Sequence, residues 1–123
     1  MSLTSHAQQQ QSNQTLAKHL ATLHPDATLG DVSRQWRMTL YFYAAVHHVE
    51  EQLQKKLYPP SSSHQTRKRN LRNVWNPTQP NAVLAYMDLE THSREARYEK
   101  MVPTDQELTD AEAQSQEVLT NLI

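Results

Sequence analysis

The stretch WRMTLYFYAAVHHVEEQLQKKL, Trp36 to Leu57, decides the fold. It holds no proline or glycine, and its apolar residues recur at three- and four-residue spacings, the period of a helix. One stripe runs through Val32, Trp36, Leu40 and Tyr43 and continues into His47. The other runs through Met38, Phe42, Val46, Val49, Leu53 and Leu57. A helix apolar over so wide an arc packs on more than one side, which puts it at the centre of a bundle. Asp31, following Gly30, is the expected N-cap, and Pro59-Pro60 stop the helix after Tyr58.

Working outward, the same logic gives further helices. Leu16, Leu20 and Leu23 share a face and predict a helix over Asn13 to His24, ended by Pro25-Asp26. Beyond the loop Ser61-Ser62-Ser63, a short basic helix is expected over Gln65 to Trp75, anchored by Leu71, Val74 and Trp75. After Asn76-Pro77 and Gln79-Pro80, a helix is expected from Asn81 to Met101. Its core face is Ala82, Ala85, Tyr86, Leu89, Ser93 and Ala96, and Val102-Pro103 break it. Thr104-Asp105-Gln106-Glu107 is a capping box, in which Thr104 and Glu107 each satisfy an orphan backbone donor. The helix it opens carries Leu108, Ala111, Val118, Leu119 and Leu122 on one face. The expectation is an all-α, up-and-down four- to five-helix bundle. It forms a single domain over residues 13–123, after a flexible polar tail over residues 1–12.

Composition agrees with this. A chain of 123 residues with 37% hydrophobic side chains suits one core, and a single glycine is too few for the turns of a β-rich fold. No cysteine is present, so there is no disulfide and no thiolate metal site. No apolar run approaches the ~18 residues of a membrane span, and no secretory signal opens the chain. A soluble cytoplasmic protein without a membrane partner is expected, with no cofactor and no metal. The formal net charge is −1, but the charge is unevenly spread: Arg34 to Arg72 is basic, and acids dominate after Tyr86. Such asymmetry suits an anion-binding face or charges that balance within a dimer.

Three polar clusters are candidates for chemistry. His47-His48-Val49-Glu50-Glu51 places His47 and Glu51 one turn apart, a spacing that suits a metal ion. The plainer reading leaves His48 and Glu51 in solvent and His47 partly buried and hydrogen-bonded. His64-Gln65-Thr66-Arg67-Lys68-Arg69-Asn70-Leu71-Arg72 is dense in cations, and arginine suits phosphate because its planar fork donates two parallel hydrogen bonds. In Ser93-Arg94-Glu95-Ala96-Arg97-Tyr98, Arg97 lies at the edge of the core face, where it could pair with Glu50 or hold a phosphate.

Taken together, Phe42-Tyr43-Ala44-Ala45-Val46-His47-His48-Val49-Glu50, Ser63-His64-Gln65-Thr66-Arg67 and Ser93-Arg94-Glu95-Ala96-Arg97-Tyr98 resemble the HEPN superfamily, in particular its small stand-alone bacterial members. The resemblance covers about Asp31 to Leu119. It implies a helical bundle, homodimers, RNA or nucleotide binding, and a role in toxin-antitoxin pairs or antiviral defence beside an antitoxin-like partner. Active ribonucleases of the family carry an arginine followed after four to six residues by a histidine, and no arginine of this chain has one. Ribonuclease activity is therefore left open.

For metal-independent cleavage the candidate catalytic residues are His47, His64, Arg94 and Arg97, since histidine suits proton transfer and arginine suits phosphate charge. The candidate nucleic-acid or nucleotide contacts are Tyr43, Arg67, Lys68, Arg69, Arg72 and Tyr98. The alternatives are a non-catalytic protein-interaction module of the same fold, and a metal-binding bundle centred on His47 and Glu51.

Overall fold

The computed structural model describes residues 8–13, 15–16, 27–99 and 101–123. Every regular element among them is helical. Residues 8–13 and 15–16 are helical, and four longer helices follow: α1 (Ala27–Lys55), α2 (His64–Trp75), α3 (Pro80–Tyr98) and α4 (Asp105–Asn121). The chain is a helical bundle, as the periodicity predicts. Most of the helix expected over Asn13 to His24 lies outside the described residues.

Helix α1 is the central element. It packs against α3 and α4, which also pack on each other, while α2 bridges α1 and α3. The contacts fix the directions. Arg34 pairs with Asp105, the Tyr41 hydroxyl donates to Glu112 at 3.1 Å, and His48 reaches Leu122 at 2.8 Å. Rising numbers on α1 thus meet rising numbers on α4, and the two run parallel. Along α3 the order reverses: Gln35, Trp36 and Thr39 lie beside Ala96 and Arg97, whereas Phe42, further along α1, meets Tyr86. So α3 runs antiparallel to both, and α1, α3 and α4 form an up-down-up core.

That core buries Met38, Phe42, Val46, Val49 and Leu53 from α1, together with Tyr41, Ala44 and Ala45 on its other side. It also buries Leu71 and Trp75 of α2, the whole expected face of α3, and Leu108, Ala111 and Val118 of α4, closed by Leu122. Phe42 is the hub, with ring centroids 5.7 Å from Tyr86, 5.6 Å from Tyr43 and 5.8 Å from His64.

Local chemistry sets the helix ends. Ser63 caps α2 by accepting from the Thr66 N–H, and the Thr104–Glu107 capping box opens α4 as expected. Other ends differ from the sequence expectation. Helix α1 begins before Asp31 and runs through Gly30, because one glycine costs only about 1 kcal/mol in a long helix. It ends at Lys55 rather than Tyr58. The Tyr58 N–H turns back to the Leu53 carbonyl at 3.0 Å, with Leu57 left-handed at φ 68°. Leu57 is consequently 92% exposed instead of joining the core stripe. Helix α3 ends at Tyr98 rather than Met101, its last turn closed by Glu99 and Met101 N–H groups on the Glu95 carbonyl. Val32 and Trp36 are exposed too, so only Leu40 of their stripe is fully buried and Tyr43 is partly so.

Candidate functional site

The three candidate segments converge where α1, α2 and α3 meet. Helix α1 supplies Phe42, Tyr43 and Glu50, α2 supplies His64, Arg67 and Lys68, and α3 supplies Tyr86, Glu90, Arg94 and Arg97. Two ion-pair groups organise this seam. In the first, the Arg67 Nε donates to Glu50 Oε1 at 2.8 Å, with both side chains largely buried. The Ser61 backbone N–H donates to the other Glu50 oxygen at 3.3 Å. Burial pushes the Glu50 carboxyl up, but hydrogen bonding from Ser61 and Arg67 outweighs it and holds it below the ordinary range. In the second, Lys68 at 2.8 Å and Arg94 at 3.0 Å both donate to Glu90 Oε1.

Of the two roles the sequence leaves open to Arg97, the pair with Glu50 does not form, because Glu50 pairs with Arg67. Arg97 donates from Nη1 to the Tyr43 hydroxyl at 2.6 Å and from Nε to the Ser93 carbonyl at 3.3 Å. Its guanidinium carbon lies 5.3 Å from the Tyr43 ring centre, 5.1 Å from Tyr98 and 5.9 Å from Phe42, within cation–π range of all three. The α3 turn that carries Ser93 and Arg97 on one side explains the spacing: one residue is buried, and the next turn reaches the edge of the core.

His64 has a defined tautomer. Arg67 Nη1 lies 2.9 Å from Nδ1, and a guanidinium only donates, so Nδ1 is the acceptor and the proton sits on Nε2. Burial, with the charges of Arg67, Arg97 and Lys68, depresses its pKa below the ordinary value and outweighs Glu90. A neutral ring with its lone pair held by Arg67 can donate a hydrogen bond outward, but it is a poor general base in this arrangement. Tyr86 is fully buried beside Arg67, and burial pushes its ionisation far up, so it remains a neutral phenol.

The basic run on α2 divides. Arg67 and Lys68 turn inward to Glu50 and Glu90. Arg69 and Arg72 are exposed, and among the described residues no carboxylate pairs with them. With Ser63, Gln65, Thr66 and Asn73 they line an open hollow of about 450 Å3.

Of the neighbouring histidines of α1, His47 is partly buried as the sequence reading has it, and His48 departs from that reading. His48, expected in solvent, is buried, and its Nε2–H donates to the Leu122 carbonyl. Burial is the main cause of its lowered pKa, so it stays neutral. The signal was present: His48 follows Ala44 by four residues and Tyr41 by seven, on the arc that meets α4. Glu51 is also mostly covered and pairs with Lys55 at 3.3 Å. Among the described residues, no group of three or more histidine or acidic side chains is placed to hold a metal ion.

Sequence reasoning missed Glu90 and Tyr86 as members of the seam. The Glu90–Arg94 spacing of four, the common helix ion-pair spacing, was a usable sign for the first. Compared with known proteins, the chain matches no family model and has no significant similarity to any curated protein or solved structure.

Proposed function

We propose that this chain is an HEPN-like helical domain that binds RNA or a nucleotide through the cationic surface of α2 and the adjoining end of α3. One observation carries the reading: of the six cations on these elements, Arg67, Lys68 and Arg94 pair with Glu50 and Glu90, and Arg69, Arg72 and Arg97 have no carboxylate partner among the described residues. Cations in excess of their acids, several of them at the surface, suit a polyanion. Tyr43 and Tyr98 beside Arg97 add the aromatic component that a purely basic helix lacks.

Binding rather than cleavage is the activity proposed. The His64 lone pair is engaged by Arg67, and no arginine has a histidine at the family's catalytic spacing. The test is a titration of the full chain with labelled RNA and with nucleotides across a series of salt concentrations. Binding that weakens steeply as salt rises is expected. Absence of binding to either ligand at low salt sinks the proposal.

A second reading, a protein-interaction module of the same fold, draws on exposed apolar side chains near the start of α1. Val32 and Trp36 are exposed, as are Met101 and Val102 of the segment that Gln35 and Arg34 tie to α1. A homodimer or an antitoxin-like partner could cover them. Sedimentation of the pure protein, with Val32→Ser and Met101→Ser as the variants that should weaken such an assembly, separates this reading from the first.

A further inference from the structure

A groove between α1 and α3 lies beside the seam and takes no part in its ion pairs. Gln35, Trp36 and Thr39 of α1 line one side, and Ala96 and Arg97 of α3 line the other, enclosing about 200 Å3. Trp36 is 57% exposed although α1 buries Met38, Tyr41 and Phe42 close by. Tyr98, next to Arg97, is 74% exposed. Two large aromatic rings thus stand in water at one end of the bundle.

Arg97 gives the groove its charge. Its hydrogen bonds to Tyr43 and Ser93 hold the guanidinium in place, and among the described residues it has no carboxylate partner. A fixed, unneutralised cation beside an exposed indole suits a ligand that is both flat and anionic. The volume limits the ligand further. Pockets that enclose a drug-sized molecule occupy about 300–1,000 Å3, so this groove fits a single ring system with the remainder lying outside.

From this we infer that the groove takes one unpaired base of a single-stranded RNA, stacked on Trp36, with the adjoining phosphate on Arg97. The inference rests on the RNA-binding reading above and specifies the form of the strand. A base within a duplex is stacked on both faces and cannot enter, whereas an unpaired base offers a free π-face to an aromatic side chain. Thr39 gives its hydroxyl proton to the Gln35 carbonyl at 3.0 Å, and stacking on an indole serves every base because each has a π-face. Little sequence preference is expected.

The experiment compares a short single-stranded RNA with a duplex of the same sequence. Binding to the full chain is read by anisotropy of the labelled RNA, and tryptophan emission is followed in parallel. The protein has two tryptophans, and Trp75 is buried, so quenching by ligand reports on Trp36. The expected result is quenching by the single strand and not by the duplex. Trp36→Leu should weaken single-strand binding about tenfold, within the range of one base–aromatic stack. Arg97→Lys should weaken it also, since it keeps the charge but loses the planar fork.

Equal, salt-sensitive binding of both forms that Trp36→Leu leaves unchanged overturns the groove while the RNA reading stands. No binding of either form overturns both. A Trp36→Leu chain that binds RNA normally but sediments as a smaller species makes the groove a contact between copies and overturns its role in RNA binding. Trp36 is a surface residue, so the variant is expected to keep its fold, which circular dichroism verifies.

Discussion

Arg67 and Lys68 are followed directly by Arg69, with Arg72 three residues beyond, yet these cations occupy two environments. The inner pair is anchored, Arg67 to Glu50 of α1 and Lys68 to Glu90 of α3. The outer pair faces solvent without a carboxylate partner among the described residues. Helical rotation accounts for the difference, because each residue turns about 100° from its neighbour. The lesson concerns charge runs in general. A basic segment is not one surface, and its cations divide into those that dock the helix and those left for a ligand.

The largest effect should come from breaking the inner side. Glu50→Ala leaves Arg67, whose side chain is 12% exposed, without its carboxylate and costs about 3–5 kcal/mol in urea unfolding. A loss below about 1 kcal/mol would mean that the inner and outer cations do not differ in kind. Lys68→Ala should cost less, about 1–2 kcal/mol, because Arg94 still donates to Glu90. Arg94 is itself more than half exposed, so it replaces only part of the lost stabilisation.

Acid sharpens the contrast from a different direction. Both His48 and His64 have pKa values depressed below the ordinary 6.5. The folded state therefore binds fewer protons than the unfolded chain as pH falls through that value. Their contribution to stability is fully present above about pH 6.5 and is lost as pH falls through the folded pKa values. Urea midpoints measured from about pH 7.5 down to about pH 5 should fall. His48→Gln should flatten the fall more than His64→Gln, since His48 is the more deeply buried. A midpoint independent of pH over that window would mean that neither ring is held neutral.

Periodicity made most of the bundle legible. The stripe Met38, Phe42, Val46, Val49 and Leu53, the α3 face through Ala96 and the capping box of α4 could all be read without coordinates. The stripe through Val32 and Trp36 misled because apolar spacing cannot say which faces of a helix find partners. Ser33 and Met38, at the same level of α1, are buried, whereas Val32 and Trp36 lie on a face that no described helix covers. The seam was legible as a set of segments but not as a set of pairs. Glu50 could be matched with Arg67 or Arg97 on equal sequence grounds, and only the position of α2 decides for Arg67. His47 and His48 differ by one residue, so a rotation of α1 alone determines which of them meets α4.

The smallest effect on stability should be the most telling for function. Arg69→Ala with Arg72→Ala removes two exposed cations, and surface changes of this kind usually stay within about 0.5 kcal/mol. If these residues are the ones left for a polyanion, RNA affinity should fall across all sequences. The dependence of log affinity on log salt should become shallower by about 1.4, the value for two single-strand phosphate contacts. The inner cations predict the opposite balance: Lys68→Ala should lower stability and leave the salt slope nearly unchanged. Equal salt slopes in the two variants would erase the distinction between docking and ligand-facing charge. An outer double variant that unfolds would show that Arg69 and Arg72 hold the bundle together as Arg67 does.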